Sequence, residues 1–261
     1  MGEVKEYPKG TFCWIDLGTT DVPGAKAFYG GLFGWATEDM PTDDSGTYTI
    51  CRLDGKDVAG LHQHSPEEGT GWSSYISVDN AETATEQARE LGAEVLMEPF
   101  DIEGAARASL IRDPSGAVVS LWQPKGFVGA GLVNEPGVWG WNELVTPAVD
   151  TAKAFYGDLF GWTTEDMPGA MTRALFSMGN LLIGGIHAPA PAEDDAPRWA
   201  VSFAVAHAEV SAARVEELGG SVILPPIDML IGKFSVVADP AGAAFTLAAV
   251  PTGAARGVDG S

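Results

Sequence analysis

Phe28-Tyr29-Gly30-Gly31-Leu32-Phe33-Gly34-Trp35 recurs as Phe155-Tyr156-Gly157-Asp158-Leu159-Phe160-Gly161-Trp162, an offset of 127 residues (155 − 28). Thr37-Glu38-Asp39-Met40-Pro41 returns as Thr164-Glu165-Asp166-Met167-Pro168 at the same offset. Farther along, Leu91-Gly92-Ala93 is echoed by Leu218-Gly219-Gly220, and Asp113-Pro114-Ser115-Gly116 by Asp239-Pro240-Ala241-Gly242. Four matches in the same order, with spacing that slips by a residue or so, mean that a unit of roughly 125 residues has been duplicated.

Outward from the repeat, each half reads as a strand, a helix and several strands, and then that plan again. Thr11 to Leu17 is a short apolar strand. Thr20 or Asp21 can cap a helix with Pro23 in its first turn and Ala27, Phe28 and Leu32 on one face. Gly46 to Asp54 and Lys56 to His64 are strands about an Asp54-Gly55 hairpin turn. Gly71 to Val78 is a strand, and Asn80 to Leu91 a helix ended by Gly92. Val95–Met97, Ala105–Ile111 and Ala117–Gln123 complete the half as strands. The expectation is an α+β protein of tandem βαβββ units, two per half and four in all, forming curved sheets around clefts. Residues 1–125 make the first domain, 126–137 a Gly-rich linker, 138–250 the second domain and 251–261 a small, polar tail. Pro189 to Pro197, with Glu193-Asp194-Asp195, reads as a polar loop.

Composition narrows the function classes. The 261 residues carry 15 basic and 36 acidic side chains, a formal charge of -21, so no basic patch exists to release counterions from a nucleic acid. A hydrophobic content of 45% excludes general disorder. No basic-then-apolar leader and no membrane-length apolar run is seen, which predicts a cytoplasmic protein without a membrane partner. Two cysteines, Cys13 and Cys51, can build neither a disulfide framework nor a cysteine zinc site; both read as core. No Ser-His-Asp ordering, phosphate loop or nucleotide fingerprint is present. What remains is a protein that acts on small molecules.

The plan, with its FY…L-G element after the first strand and its DP-x-G turn before the last, resembles the vicinal oxygen chelate superfamily, which holds glyoxalase I, bleomycin-resistance proteins, fosfomycin-resistance enzymes and extradiol dioxygenases. The FYGxLFGW form is similar to two-repeat actinobacterial members. The resemblance spans about residues 11 to 124 and 138 to 250, and it implies the fold far more than any one activity. Metal-dependent relatives place His, Gln or Glu on the first, fourth, fifth and eighth strands of each half. By the resemblance those positions are Trp14, Gly60, Ser73 and Ser120 in the first half, and Trp141, Gly185, Ala200 and Thr246 in the second. None supplies the imidazole, carboxylate or thiolate that a first-row divalent ion needs. No metal and no cofactor is therefore expected.

Side chains two apart on a strand share a face. Two residues from Trp14 lies Asp16, and two from Gly60 lies His62; the same step from Trp141 and Gly185 reaches Glu143 and His187. First and fourth strands are neighbours in this fold, which would bring acid and imidazole to roughly 5 Å. An acid–imidazole pair thus recurs in each half of a chain with only four histidines. Such a pair fixes the imidazole tautomer and suits general acid–base work. The competing reading is that the histidines end strands at the rim and the acids pair with surface groups; a shifted two-ligand metal site is a third.

The same inner face reads as aromatic: Trp14, Tyr75 and Trp122 in the first half, Trp139 and Trp141 in the second, with Ser120 among them. Walls of this kind hold planar, hydrophobic ligands by stacking, or simply fill a core. Trp35 and Trp162, at the ends of the repeat element, fit core and wall equally. Arg107 and Lys233 correspond between halves, and each either offers a cation to an anionic or carbonyl group on a ligand or is a solvated strand-edge charge. His64 and His207 have no counterparts and are assigned to the surface.

Three functions follow, in this order. The first is a metal-independent module of the bleomycin-resistance type, binding an aromatic or hydrophobic small molecule in clefts of the two repeats. The second is a metal-free isomerase, cyclase, lyase or hydrolase of a carbonyl compound, using Asp16/His62 or Glu143/His187. The third is a metal-dependent glyoxalase or dioxygenase, which lacks ligands here. The fused halves are compatible with a monomer or a homodimer. Differences such as Trp122 against Ala248 imply that the two clefts are not equivalent.

Overall fold

A computed structural model describes residues 4–42, 46–102, 104–167, 173–189, 196–229 and 232–249. The tail 251–261 and most of the Pro189–Pro197 loop lie outside the described residues. The first half runs β1 (Phe12–Thr19), α1 (Val22–Phe33), β2 (Ala36–Pro41), β3 (Thr47–Leu53), β4 (Lys56–Gln63), β5 (Gly71–Ser77), α2 (Ala81–Glu90), β6 (Glu94–Ile102), β7 (Ala106–Arg112) and β8 (Val118–Pro124). The second repeats it as β9 (Trp139–Val145), α3 (Val149–Phe160), β10 (Thr163–Met167), β11 (Arg173–Met178), β12 (Leu181–His187), β13 (Arg198–Ala204), α4 (Ala208–Glu217), β14 (Ser221–Met229), β15 (Gly232–Ala238) and β16 (Ala244–Ala249). Each half is one eight-stranded sheet, ordered β2-β3-β4-β1-β5-β8-β7-β6 and β10-β11-β12-β9-β13-β16-β15-β14. These are the expected tandem βαβββ units, four in all.

Local chemistry accounts for the boundaries. Asp21, not Thr20, caps α1: its carboxylate accepts from the Gly24 N–H at 3.0 Å, and Pro23 sits in the first turn. Asp54 and Gly55 both adopt positive φ (51° and 73°), the geometry a two-residue hairpin between β3 and β4 requires. The first and fourth strands of each unit are parallel neighbours; Asp16 lies opposite Gly60, and Glu143 opposite Gly185.

The duplicated motifs meet across the halves. Tyr29 of the first FY element donates its hydroxyl to Asp239 of the second DP turn at 3.1 Å, and Tyr156 donates to Asp113 of the first DP turn at 2.7 Å. Each tyrosine oxygen in turn accepts an indole N–H, from Trp72 at 3.2 Å and from Trp199 at 2.8 Å. The other oxygen of each aspartate holds its own turn, Asp113 through Ser115 and Ala117 and Asp239 through Ala241 and Ala243. Burial, and after it the facing aspartate, pushes both phenols well above their ordinary range, so they remain donors. Around these contacts Phe33 packs on Phe203 (5.0 Å) and Phe12 on Trp199 (4.8 Å). Trp35 and Trp162 belong to this shared core: their indoles bond the carbonyls of Gly137 and Gly10.

The segment joining the halves is itself packed. The Ala130 N–H donates to the Cys13 carbonyl at 2.8 Å, the Trp122 indole donates to the Phe127 carbonyl at 3.1 Å, and the Phe127 ring lies edge-on to Trp14 at 4.8 Å.

Tyr156→Phe removes the acceptor of a buried indole and the donor of a buried carboxylate together. The expected cost is about 1–3 kcal/mol of unfolding free energy, and the same for Tyr29→Phe. Urea denaturation checks this; an unchanged midpoint would show that the crossed contact does not hold the halves.

Candidate functional site

The helices of each half cover one sheet face, and the polar candidates gather on the other. On β1, Trp14 and Asp16 are nearly fully buried, 1% and 2% exposed. The Trp14 indole donates to the Tyr48 hydroxyl at 2.9 Å, and Tyr48 donates to Asp16 Oδ2 at 3.1 Å. Tyr75 donates to the same oxygen at 2.7 Å. His62 Nδ1 stands 3.6 Å from Asp16 Oδ2, and His62 Nε2 meets His64 Nε2 at 3.0 Å. Ser120 lies in register with Tyr75, and Trp122 packs edge-on to the Tyr75 ring at 5.5 Å. Trp14, Asp16, His62, Tyr75, Ser120 and Trp122 thus converge on one face.

Burial dominates the electrostatics here. It raises the Asp16 carboxyl above its ordinary value, and the His62 ring and the two tyrosine hydroxyls offset only part of that. Asp16 Oδ1 and His62 Nδ1 are both buried without a hydrogen-bond partner.

In the second half Glu143 and His187 touch directly, Oε1 to Nδ1 at 3.0 Å. Trp141 and Glu143 on β9 are half-buried, whereas Trp14 and Asp16 are buried. Small residues surround them: Gly185 on β12, Ala200 and Ser202 on β13, Thr246 and Ala248 on β16. From there the strand pairing carries the same face outward through Val236 and Phe234 on β15 to Leu224 and Ile227 on edge strand β14. Leu224 and Ile227 are 40% exposed. The face therefore runs from a polar pole, Glu143–His187, to an apolar one.

Two candidates are corrected. Trp139 is not on this face. A β-bulge between Ser202 and Phe203, opposite Gly140, reverses the alternation between Trp139 and Trp141. The Trp139 indole instead donates to Asn142 at 2.7 Å, and Asn142 bonds Ser74 in the core between the halves. Arg107 does not face a ligand either. Ala108 is the residue opposite Trp122, so Arg107 points to the helix side, where it pairs with Glu82 of α2 and with Asp101 (3.2 Å). Lys233 is held in the same way by Glu209 and Asp228.

Tyr48, His64 and the apolar pole were missed. Tyr48 faces His62 only because a bulge between Cys51 and Arg52 shifts the β3–β4 hairpin by one residue; without it Tyr48 would lie opposite Leu61, on the other face. His64 was assigned to the surface, yet it lies against His62. His207 is exposed, as expected, at the start of α4.

The residues at the family's ligand positions do not fit a metal. Indole, hydroxyl, methyl and bare backbone occupy all eight. In the first half the space above Gly60 belongs to Tyr48: a Cβ there would sit 1.9 Å from the hydroxyl oxygen. Asp16, His62 and His64 do not converge on one point, since opposite nitrogens of the His62 ring face the other two. Among the described residues no group of three or more His, Cys, Asp or Glu side chains could hold a metal ion. Among those residues, too, no helix is long and apolar enough to cross a membrane.

A duplicated sheet of βαβββ units is the architecture of a vicinal oxygen chelate protein. Residues 11–121 match the Glyoxalase/Bleomycin resistance protein/Dioxygenase superfamily and residues 143–248 the Glyoxalase-like domain; the chain belongs to this superfamily. It is 39% identical over 255 residues to the Mycobacterium tuberculosis protein CFP32, which carries a glyoxylase name, covering 95% of this chain and 97% of that one. The anthracycline biosynthesis protein DnrV of Streptomyces peucetius is 32% identical over 257 residues, covering 92% and 94%. Solved structures show the same fold. The Mn(II)-bound glyoxalase from Novosphingobium aromaticivorans superposes with a TM-score of 0.64 at 18% identity, over 92% of this chain and 82% of that one. The 2,3-dioxygenase LapB from Pseudomonas sp. KL28 gives 0.65 at 13% identity, over 92% of both.

The raised carboxyl makes a stability prediction with a definite sign. The folded chain holds the Asp16 proton more tightly than the unfolded chain, so this residue lowers stability as pH rises above the ordinary carboxyl value of about 4. Asp16→Asn is therefore expected to melt higher than the parent at about pH 8, with the gap closing toward pH 4. Melting curves across that range check it, and a gap that widens in acid would reverse the assignment.

Proposed function

We propose that this chain binds a planar, mostly apolar small molecule on the open face of the second sheet, without a metal. The observation that carries the reading is the gradient on that face. A half-exposed indole, Trp141, stands among glycine, alanine and serine, with the Glu143–His187 pair on one side and exposed Leu224 and Ile227 on the other. Such a face stacks a fused ring system and hydrogen-bonds one polar edge of it. The relationship to DnrV agrees in kind, because an anthracycline is a fused aromatic ring system bearing carbonyl and hydroxyl groups.

Titration with a hydroxyanthraquinone is expected to quench tryptophan fluorescence saturably, with one ligand per chain. Trp141→Ala should weaken binding about tenfold, equal to about 1.4 kcal/mol, and chelator-treated protein should bind as before. A flat titration across polycyclic and monocyclic aromatics would sink the reading, and loss of binding after chelation would sink its metal-independence.

The 3.0 Å contact between Glu143 and His187 favours a second reading, in which the same pocket turns over a carbonyl-containing metabolite by acid–base chemistry. His187→Ala and Glu143→Gln would then each lower kcat by about 10²–10⁴ while ligand quenching persists. Unchanged turnover in both variants would leave binding as the whole function.

A further inference from the structure

We infer that the first half contains a proton relay, Asp16–His62–His64, leading from the buried face of its sheet to the β4–β5 loop. The outer end fixes the first tautomer. His64 Nδ1 lies 3.1 Å from the Gly69 carbonyl, and a carbonyl only accepts, so Nδ1 carries the proton. His64 Nε2 is then a lone pair when the ring is neutral. It stands 3.0 Å from His62 Nε2, which must be the N–H of that contact. His62 Nδ1 is in turn left as a lone pair, and it faces Asp16 Oδ2 at 3.6 Å. Each tautomer is fixed by the one before it.

The fold makes room for this chain. A Cβ at Gly18 would lie 2.1 Å from the His64 ring, and one at Gly60 would collide with the Tyr48 hydroxyl that bonds Asp16. The second half serves as an internal control. By strand pairing Val145 faces His187 as Gly18 faces His62, and Pro189 stands two residues beyond His187 as His64 does beyond His62. Glycine occurs where the second histidine is present, and valine where proline replaces it. The relay is thus built once, in the half whose carboxyl is buried and has one oxygen, Oδ1, without a partner.

The transfer balances without any co-reactant. Once the 3.6 Å separation of Asp16 Oδ2 and His62 Nδ1 closes to hydrogen-bond length, a protonated Asp16 gives its proton to His62 Nδ1 while the His62 Nε2 proton passes to His64 Nε2. Asp16 ends as the carboxylate, His62 as its other neutral tautomer, and His64 as the imidazolium. Half-exposed His64 then releases the proton to solvent. Tyr48 and Tyr75 stay protonated throughout and hold Asp16 Oδ2 in place.

Nitrogen-15 NMR of the full chain at a pH where the imidazoles are neutral tests the relay without any ligand. It therefore stands or falls apart from the binding proposal. The expected result is a His64 protonated at Nδ1, a His62 protonated at Nε2, and a scalar coupling between their Nε2 atoms through the N–H···N bond. His64→Ala should abolish the coupling and leave His62 as a mixture of tautomers. Gly18→Ala, with both histidines kept, should do the same by displacing the ring. A His64 protonated at Nε2, or a His62 tautomer indifferent to His64→Ala, would overturn the relay.

Discussion

Two tyrosines, each donating to an aspartate in the opposite half, are the constraint from which the rest of the molecule follows. Tyr29–Asp239 and Tyr156–Asp113 are buried, directional and reciprocal, and each is backed by an indole that donates to the tyrosine oxygen. A buried carboxylate that loses its donor costs more than the hydrogen bond it made. The same aspartate ties its own β-turn through its second oxygen. Slippage of one half against the other would therefore strand two carboxylates and two phenol donors at once, while each indole keeps the tyrosine of its own half. The sequence pairs FY with DP-x-G for this reason: the motifs are the two ends of a crossing contact, and duplication makes it close on itself.

With the helix-side faces occupied in this way, the opposite faces are left for chemistry. The first sheet fills much of its open face from within, using Tyr48, Trp14 and the Phe127 ring supplied by the connecting segment. The second keeps Trp141 partly exposed and surrounds it with small side chains. One ancestral surface has become an internal hydrogen-bonded cluster in one half and a more open, graded wall in the other. The divergence of Ser73 from Ala200 and of Trp122 from Ala248 falls on these two faces.

The repeat, the four βαβββ units and the acid–imidazole pairs were legible because they depend on local periodicity and on strand order. Asp16 and His62 could be placed on one face by counting in twos, since β1 and β4 are neighbours and unbulged over that stretch. Counting failed where an extra residue entered a strand. The bulge near Trp139 sent its indole to the core, and the bulge at Cys51/Arg52 brought Tyr48 to Asp16. β2 was invisible for another reason: Ala36–Pro41 is exposed along its whole length and carries no apolar alternation. Arg107 misled because a cation in a corresponding position looks functional until its face is known. The apolar pole of the second face lies on edge strand β14, whose consecutive prolines and largely exposed side chains leave no apolar alternation to mark its inner face.

Charge takes on a different meaning at this level. Among the described residues most acidic side chains are solvated or paired at the surface, where an ion pair contributes little. Asp16, Asp113 and Asp239 are the buried exceptions; Asp113 and Asp239 hold turns and the opposite half, whereas Asp16, raised by burial, has two phenols and two imidazoles around it. A group in that setting lowers stability at neutral pH, and Asp16 differs from the structural aspartates in leaving one buried oxygen without a partner. Val145 and Pro189 in the second half show that the scaffold closes without the second imidazole and the glycine that admits it. The His64–Gly18 combination is therefore not a requirement of the fold, and the buried acid it serves marks the first half as more than a structural copy of the second.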